Sequence, residues 1–303
     1  MAEIEGKMRA RSGGAMALAA AVLWGFIGLA VRPLSGLGLT AVELTFVRSA
    51  AAFIGAAAMA LCRGGSLRIR PRDLWIFLGS GLASVVFFNV CYFYTQKTLP
   101  LAVSSVFLYT APFFVAGISA GVFGERLTAG RVGALAAAFI GCVMVSGALS
   151  GNLGNSGDTS NMPITLKGAA AGAGSGFGYA LYTVFGRLAA RRYSAEVFMA
   201  YTFFIASCAL TPFVSVGHIV GAAQGGGGAA LAAFALIFTL LPYLLYTASL
   251  GRLSGSTASA LAFAEPLTSA AVGYVFFGER LTAVQAAGII LTAAALQKIL
   301  KSE

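Results

Sequence analysis

Charge is what this sequence has least of. Twenty basic and ten acidic residues make up only 10% of its 303 positions, where soluble domains carry roughly 25%. A chain of this length cannot cover a water-facing surface with so few charges, and 58% hydrophobic content excludes disorder as well. There is a single histidine, His218, which follows an expected helix end and cannot make a metal site alone. The four cysteines, Cys62, Cys91, Cys142 and Cys208, stand singly in or beside apolar stretches, with no metal-ligand or redox spacing, and read as small packing residues. No acidic pair accompanies them in the apolar stretches, so neither a metal centre nor a catalytic cluster is expected, and no cofactor is implied. A phosphate-binding G-x-x-x-x-G-K-[ST] string is missing too, which argues against a nucleotide-driven pump.

Long apolar runs are what is present. A transmembrane helix takes about 20 residues, so ~10 spans would use about two thirds of the chain. The runs break at charge clusters or Gly/Pro turns and place spans near 13–31, 43–62, 73–95, 102–123, 128–149, 165–186, 195–217, 229–249, 256–277 and 282–299. With the N-terminus inside, fifteen of the twenty Lys and Arg fall in cytoplasmic segments; Arg32, Lys97, Lys167 and Arg280 fall outside, and Arg48 lies within the second span. That asymmetry predicts an all-α, multi-pass membrane protein of ten transmembrane helices, N-in and C-in. The net charge of +10 is then a topology signal, and no nucleic-acid partner is expected. The bilayer and a small molecule are the expected partners, with the oligomeric state expected to be a monomer.

Self-comparison carries the most information. Tyr109-Thr-Ala-Pro112, followed by Phe123-Gly-Glu-Arg-Leu-Thr128, recurs 154 residues later as Phe263-Ala-Glu-Pro266, followed by Phe277-Gly-Glu-Arg-Leu-Thr282. Trp24-Gly25 matches Phe177-Gly178, and Glu43 matches Glu196, at an offset of 153. Residues 1–149 and 164–303 therefore read as two repeats, joined by a polar external linker at 150–163. Five spans per half is an odd number, so the second half is inverted. Inverted repeats suit a carrier whose halves exchange inward- and outward-open shapes. The Gly-Glu-Arg-Leu-Thr strings have the chemistry of a helix end, an interfacial charge pair and a Thr cap.

These repeated Pro-centred spans, each followed by Phe-Gly-Glu-Arg-Leu-Thr, together with Ala264-Glu265-Pro266-Leu267, Gln285 and Gly288, resemble the EamA branch of the drug/metabolite transporter superfamily. The resemblance covers nearly the whole chain. It implies a ten-helix carrier of the bacterial inner membrane, usually an exporter of amino acids, other metabolites or toxic organic compounds. Within the family the chain is similar to the YddG type of amino-acid exporter, in which the residues matching Trp24 and Tyr109 face the cavity; Phe177 and Ala111 stand where that type has Trp.

The residues expected to line a substrate path follow from where polar and aromatic side chains collect. They are Trp24, Phe88, Asn89, Tyr92, Tyr109, Phe177, Tyr179, Tyr182, Tyr243 and Tyr246, with Tyr243 and Tyr246 at the repeat positions of Asn89 and Tyr92. A tyrosine offers an apolar ring and one hydrogen-bonding group, which suits amphipathic substrates. Pro112 and Pro266 fall mid-span and are candidate gating points, a static bend being the alternative. Glu265, mid-membrane, is a candidate proton site or amine contact; its alternative is to bind backbone groups freed by Pro266. The expected function is export of small amphipathic metabolites, amino acids foremost, by alternating access. Drug export and a channel-like passive facilitator are the rival readings, and an enzyme is not expected.

Overall fold

The computed structural model describes residues 2–148 and 165–301, so the expected linker at 150–163 lies outside the described residues. The described residues are helical throughout, with no strand among them. Ten rods follow one another: α1 (Met8–Leu34), α2 (Ala41–Cys62), α3 (Pro71–Thr98), α4 (Leu101–Phe123), α5 (Ala129–Val145), α6 (Leu166–Ala189), α7 (Ala195–Phe213), α8 (Val216–Leu250), α9 (Gly255–Phe277) and α10 (Ala283–Lys301). Eight of them, all but α5 and α6, are long and apolar enough to cross a membrane. The α5 rod has 17 residues, and α6 has 24 but carries six glycines, which lower its hydropathy.

Helix ends follow the sequence chemistry. Gly124 and Gly278 adopt left-handed conformations, φ 68° and 66°, and close α4 and α9; a side chain there would clash with its own backbone. The Thr128 hydroxyl then accepts the Arg131 N–H at 3.3 Å. Thr282 and Gln285 bond reciprocally, Gln285 N–H to Thr282 Oγ1 at 3.2 Å and Thr282 N–H to Gln285 Oε1 at 2.9 Å. Thr40 and Glu43 make the same box before α2.

The rods α4 and α9 are each interrupted just before their prolines, at Tyr109–Thr110 and Ala262–Phe263. Proline has no N–H to donate, so carbonyls are freed there. The carbonyls four residues back are those of Leu108 and Ala262, and Ala262 accepts the Glu265 N–H at 2.9 Å instead; beside them the Thr110 hydroxyl donates to the Phe107 carbonyl at 2.6 Å and the Cys142 thiol to that of Phe263 at 3.8 Å. A second paired irregularity is a widened turn, at Gly79–Val86 in α3 and Leu236–Leu240 in α8. The second lies 154 residues after 82–86, each ending three residues before the repeat-matched Asn89 and Tyr243.

One boundary differs from the sequence expectation. The stretch 216–228 was expected to lie outside the eighth span, yet α8 begins at Val216 and runs 35 residues. The Gly-rich string read as a break is instead a kink, with Gly226 at φ 100° and helix on both sides. His218 consequently sits in the first turn of α8, its Nδ1 3.0 Å from Glu43 Oε1 at the start of α2.

Small residues let the rods touch. Gly141 of α5 faces Gly288 and Thr292 of α10, and a Cβ there would lie 2.7 Å from the Gly288 carbonyl oxygen. Gly172 of α6 packs on the Phe107 ring, and Gly176 on the Phe107 carbonyl at the α4 interruption. Gly25 of α1 lies in the same way against the Glu265 carbonyl in α9. Gly141→Leu is therefore expected to pry α5 from α10 and lower stability by about 1–3 kcal/mol. A fall in melting temperature of the purified chain measures it, whereas Gly133→Leu, with nothing within 4 Å of its Cβ, is expected to leave it unchanged.

Candidate functional site

Aromatic side chains from five rods converge at the centre. Trp24 of α1 meets Tyr243 and Tyr246 of α8 with ring centroids 5.2 and 5.4 Å apart. Tyr182 of α6 lies edge-on to Tyr243 at 5.1 Å, and Phe203 of α7 does so at 4.9 Å. Phe88 of α3 meets Tyr179 of α6 at 5.5 Å. Two buried hydrogen bonds fix the phenols: Tyr182 to Thr247 and Tyr246 to Thr183, both 2.7 Å. A hydroxyl inside hydrocarbon needs such a partner.

Three cavities lie between this cluster and the Glu279 turn, each sharing a lining residue with the next. The innermost, lined by Trp24, Phe88, Tyr179, Tyr182, Tyr243 and Tyr246, has about 10 Å³ of free space, room for about one water. Tyr179 also borders the second, about 20 Å³, with Tyr109, Pro112 and Glu265. Tyr109 in turn borders the third, an opening of about 310 Å³ with Pro266, Glu279 and Gln285 on its walls. Seven of the ten expected lining residues, together with Glu265 and both prolines, thus lie along one path.

The other three lie beside it. Asn89 is buried but spoken for: its amide donates to the Val85 carbonyl at 2.7 Å and accepts from the Thr45 hydroxyl at 3.2 Å. Phe177 is 39% exposed and packs on Phe114, away from the cavity. Tyr92 stacks on Phe88 at 5.6 Å, behind the lining.

Two charged side chains stand by this path: Glu265 borders the second cavity, and Arg48 reaches a ring that lines the first. The Arg48 guanidinium sits 5.6 Å from the ring centres of both Phe234 and Tyr243. Glu265 and Arg48 are within electrostatic reach of one another and of the Tyr179 and Tyr243 hydroxyls. They form no ion pair, and neither side chain has a hydrogen bond among the described residues. Opposite charges held apart in an apolar surround are costly unless a ligand or water completes them.

The repeated Gly-Glu-Arg strings differ in what their glutamates reach. Glu125 is 8% exposed and closes the start of α9: its carboxylate accepts the Gly255 N–H at 2.8 Å, the Ser256 N–H at 3.3 Å and the Ser256 hydroxyl at 2.6 Å. Arg187 at the end of α6 lies 3.6 Å away and also donates to the Leu250 and Leu253 carbonyls. Its repeat counterpart Glu279 is 55% exposed and pairs with Arg32 at the end of α1. The repeat positions of Gly255 and Ser256 are Leu101 and Ala102, at the start of α4, and they lie across the 310 Å³ opening from Glu279 with no side-chain cap. Local geometry does not cause the difference, since both glutamate N–H groups bond the carbonyl six residues back, Glu125 to Ser119 and Glu279 to Gly273. One face is latched and the other is open.

This bundle of apolar helices has the build of a multi-pass membrane protein. The model of the EamA-like transporter family matches residues 11–147 and again 166–299, so the chain belongs to that family. A protein named as an uncharacterized transporter in Archaeoglobus fulgidus is 27% identical over 279 residues, 92% of either chain. The uncharacterized transporter YwfM of Bacillus subtilis is 30% identical over 134 residues, 44% of this chain and 45% of its own. A crystal structure with a TM-score of 0.75 and 21% identity covers 95% of this chain and 97% of its own, and shares the fold.

Proposed function

We propose that the chain exports small amphipathic metabolites, amino acids foremost, across a bacterial inner membrane by alternating access. The observation that carries this reading is the unequal pair of latches. Two copies of one motif stand at opposite ends of the path, one engaged and one released, as expected of a carrier caught with one door shut. In the alternate state Glu279 would cap Leu101 and Ala102 while Glu125 releases Gly255 and Ser256.

The same frame supports ten spans, N-in and C-in, with 1–149 and 164–303 as inverted halves and 150–163 as an external linker. The latched face gathers Arg9, which donates to the Gly251 carbonyl at 3.1 Å, Arg131, which bonds Ser254 at 2.6 Å, and Arg187. A concentration of arginines marks the cytoplasmic side, so on this reading the released face is the outer one and the carrier is caught facing outward. Pro112 and Pro266 are the gating points of this reading, because each stands where its rod is already interrupted.

Arg48 and Glu265 favour a net-neutral substrate that carries both charges. Its carboxylate would meet Arg48, its ammonium Glu265, and its apolar part the rings of Trp24, Tyr179 and Tyr243. Glu265 as a proton site is the second reading, favoured by a carboxyl without a hydrogen-bond partner on the path.

Counterflow tests the function. Proteoliposomes loaded with unlabelled amino acid should take up the labelled one transiently above equilibrium, and should not do so with sugars or phosphates. A channel gives no overshoot, and overshoot with organic cations alone would assign a drug exporter instead.

A further inference from the structure

Away from the transport path, at the ends of α2, α3, α6 and α7 on the latched face, a cavity of about 560 Å³ is bordered by four arginines, Arg63, Arg68, Arg70 and Arg192. They come from two stretches, 63–70 and 191–194, more than a hundred residues apart. The loop before α3 is pinned in place from below. Tyr193 accepts the Arg70 backbone N–H at 3.1 Å and donates to Asp73 at 2.6 Å, while the Tyr201 hydroxyl donates to the Leu67 carbonyl at 2.8 Å. The charges are only half compensated: Arg63 pairs with Glu196, and Arg192 with Asp73 at 2.8 Å. Arg68 and Arg70 have no side-chain hydrogen bond or ion pair among the described residues, although the Arg70 charge is felt by Asp73.

Positive residues near span ends also serve topology alone, but for that purpose they need only be exposed. Here four arginines from two distant stretches border one cavity with an uncompensated charge of about +2, which is the demand of a phosphate diester or diphosphate. Beside the cavity, Leu61, Leu74 and Trp75 are 58%, 41% and 55% exposed. They provide an apolar flank below the charged rim, where an acyl chain would lie. We propose that this cavity is a binding site for a phosphate-bearing ligand, and that its source is the headgroup of an anionic phospholipid. Basic pockets at the cytoplasmic ends of membrane helices suit such headgroups.

The test uses the full chain purified in neutral detergent and stripped of lipid. Bound lipid is counted by native mass spectrometry, and the melting temperature is followed against added phosphatidylglycerol, phosphatidylcholine or inorganic pyrophosphate. Phosphatidylglycerol should bind and raise the melting temperature, phosphatidylcholine should not, and pyrophosphate should do so only weakly. The Arg68→Gln/Arg70→Gln double variant, which leaves the Tyr193 and Tyr201 anchors intact, should bind phosphatidylglycerol roughly thirty-fold more weakly. Lys298→Gln/Lys301→Gln, with the same charge removed from α10, should bind it as the wild type does. Equal binding of the two lipids, or an undiminished Arg68/Arg70 variant that melts as the wild type does, would overturn the proposal. Pyrophosphate acting as strongly as the lipid would overturn its lipid half.

Discussion

Glu125→Gln is expected to lower counterflow about tenfold or more while the chain still folds. The carboxylate holds two backbone N–H groups and a hydroxyl of α9, and a hydrogen bond to a charged group contributes about 1.5–3 kcal/mol. A neutral amide replaces at most part of that, so the latched state loses roughly a factor of ten or more in population. The loss has a direction. Ala258→Cys, at a fully buried position of α9 with no bond to Glu125 and introduced after the four native cysteines are replaced, should react faster with a polar maleimide from the latched side in the Glu125→Gln background. Glu279→Gln should leave that reactivity unchanged, because in this state its carboxylate is exposed and reaches Arg32 rather than α4. Equal labelling in all three proteins would remove Glu125 from the gate.

The second large effect belongs to the two unpaired charges on the path. Arg48→Gln should raise the Michaelis constant for a zwitterionic amino acid by about a hundredfold, since truncating one partner of a buried charge pair costs about 2–5 kcal/mol. The corresponding amine without a carboxylate should compete equally against wild type and variant. Glu265→Gln should show the converse, with the deaminated acid indifferent to it. If Glu265→Gln keeps counterflow but loses accumulation driven by a pH gradient, the proton reading replaces the amine one. Unchanged kinetics in both variants would exclude the pair from recognition altogether.

Much of this was legible before any coordinates, wherever the controlling physics is local. Pro112 and Pro266 must interrupt their rods, and Gly124 and Gly278 must end them, because each depends on its own backbone. The aromatic cluster was legible as a group because Trp24, Tyr182, Tyr243 and Tyr246 fall in apolar runs where a phenol or indole needs company. What escaped depends on partners distant in sequence. Asn89 has a hydroxyl partner 44 residues away in Thr45, and Phe177 packs on Phe114 away from the cavity while Gly176 and Gly178 lie against Phe107 and Phe88. The glycine string within α8 reads as a break, yet Gly226 only kinks a continuing helix. Glu125 was legible as part of a turn but not as the cap of a helix 130 residues later. The 154-residue repeat could have suggested asking whether both glutamates reach equivalent helix starts. Only the fold shows that one does and the other does not.

The most direct test of alternating access is a pair of distances read in the same protein by pulsed spin-label spectroscopy. One pair of labels, at Arg126 and Gly251, spans the latched face; another, at Lys97 and Arg280, spans the open one, and all four positions are exposed. As a transported amino acid is added, a population should appear in which the first distance is longer and the second shorter. Two distances that stay fixed, or that lengthen together while counterflow proceeds, would contradict the exchange of latches.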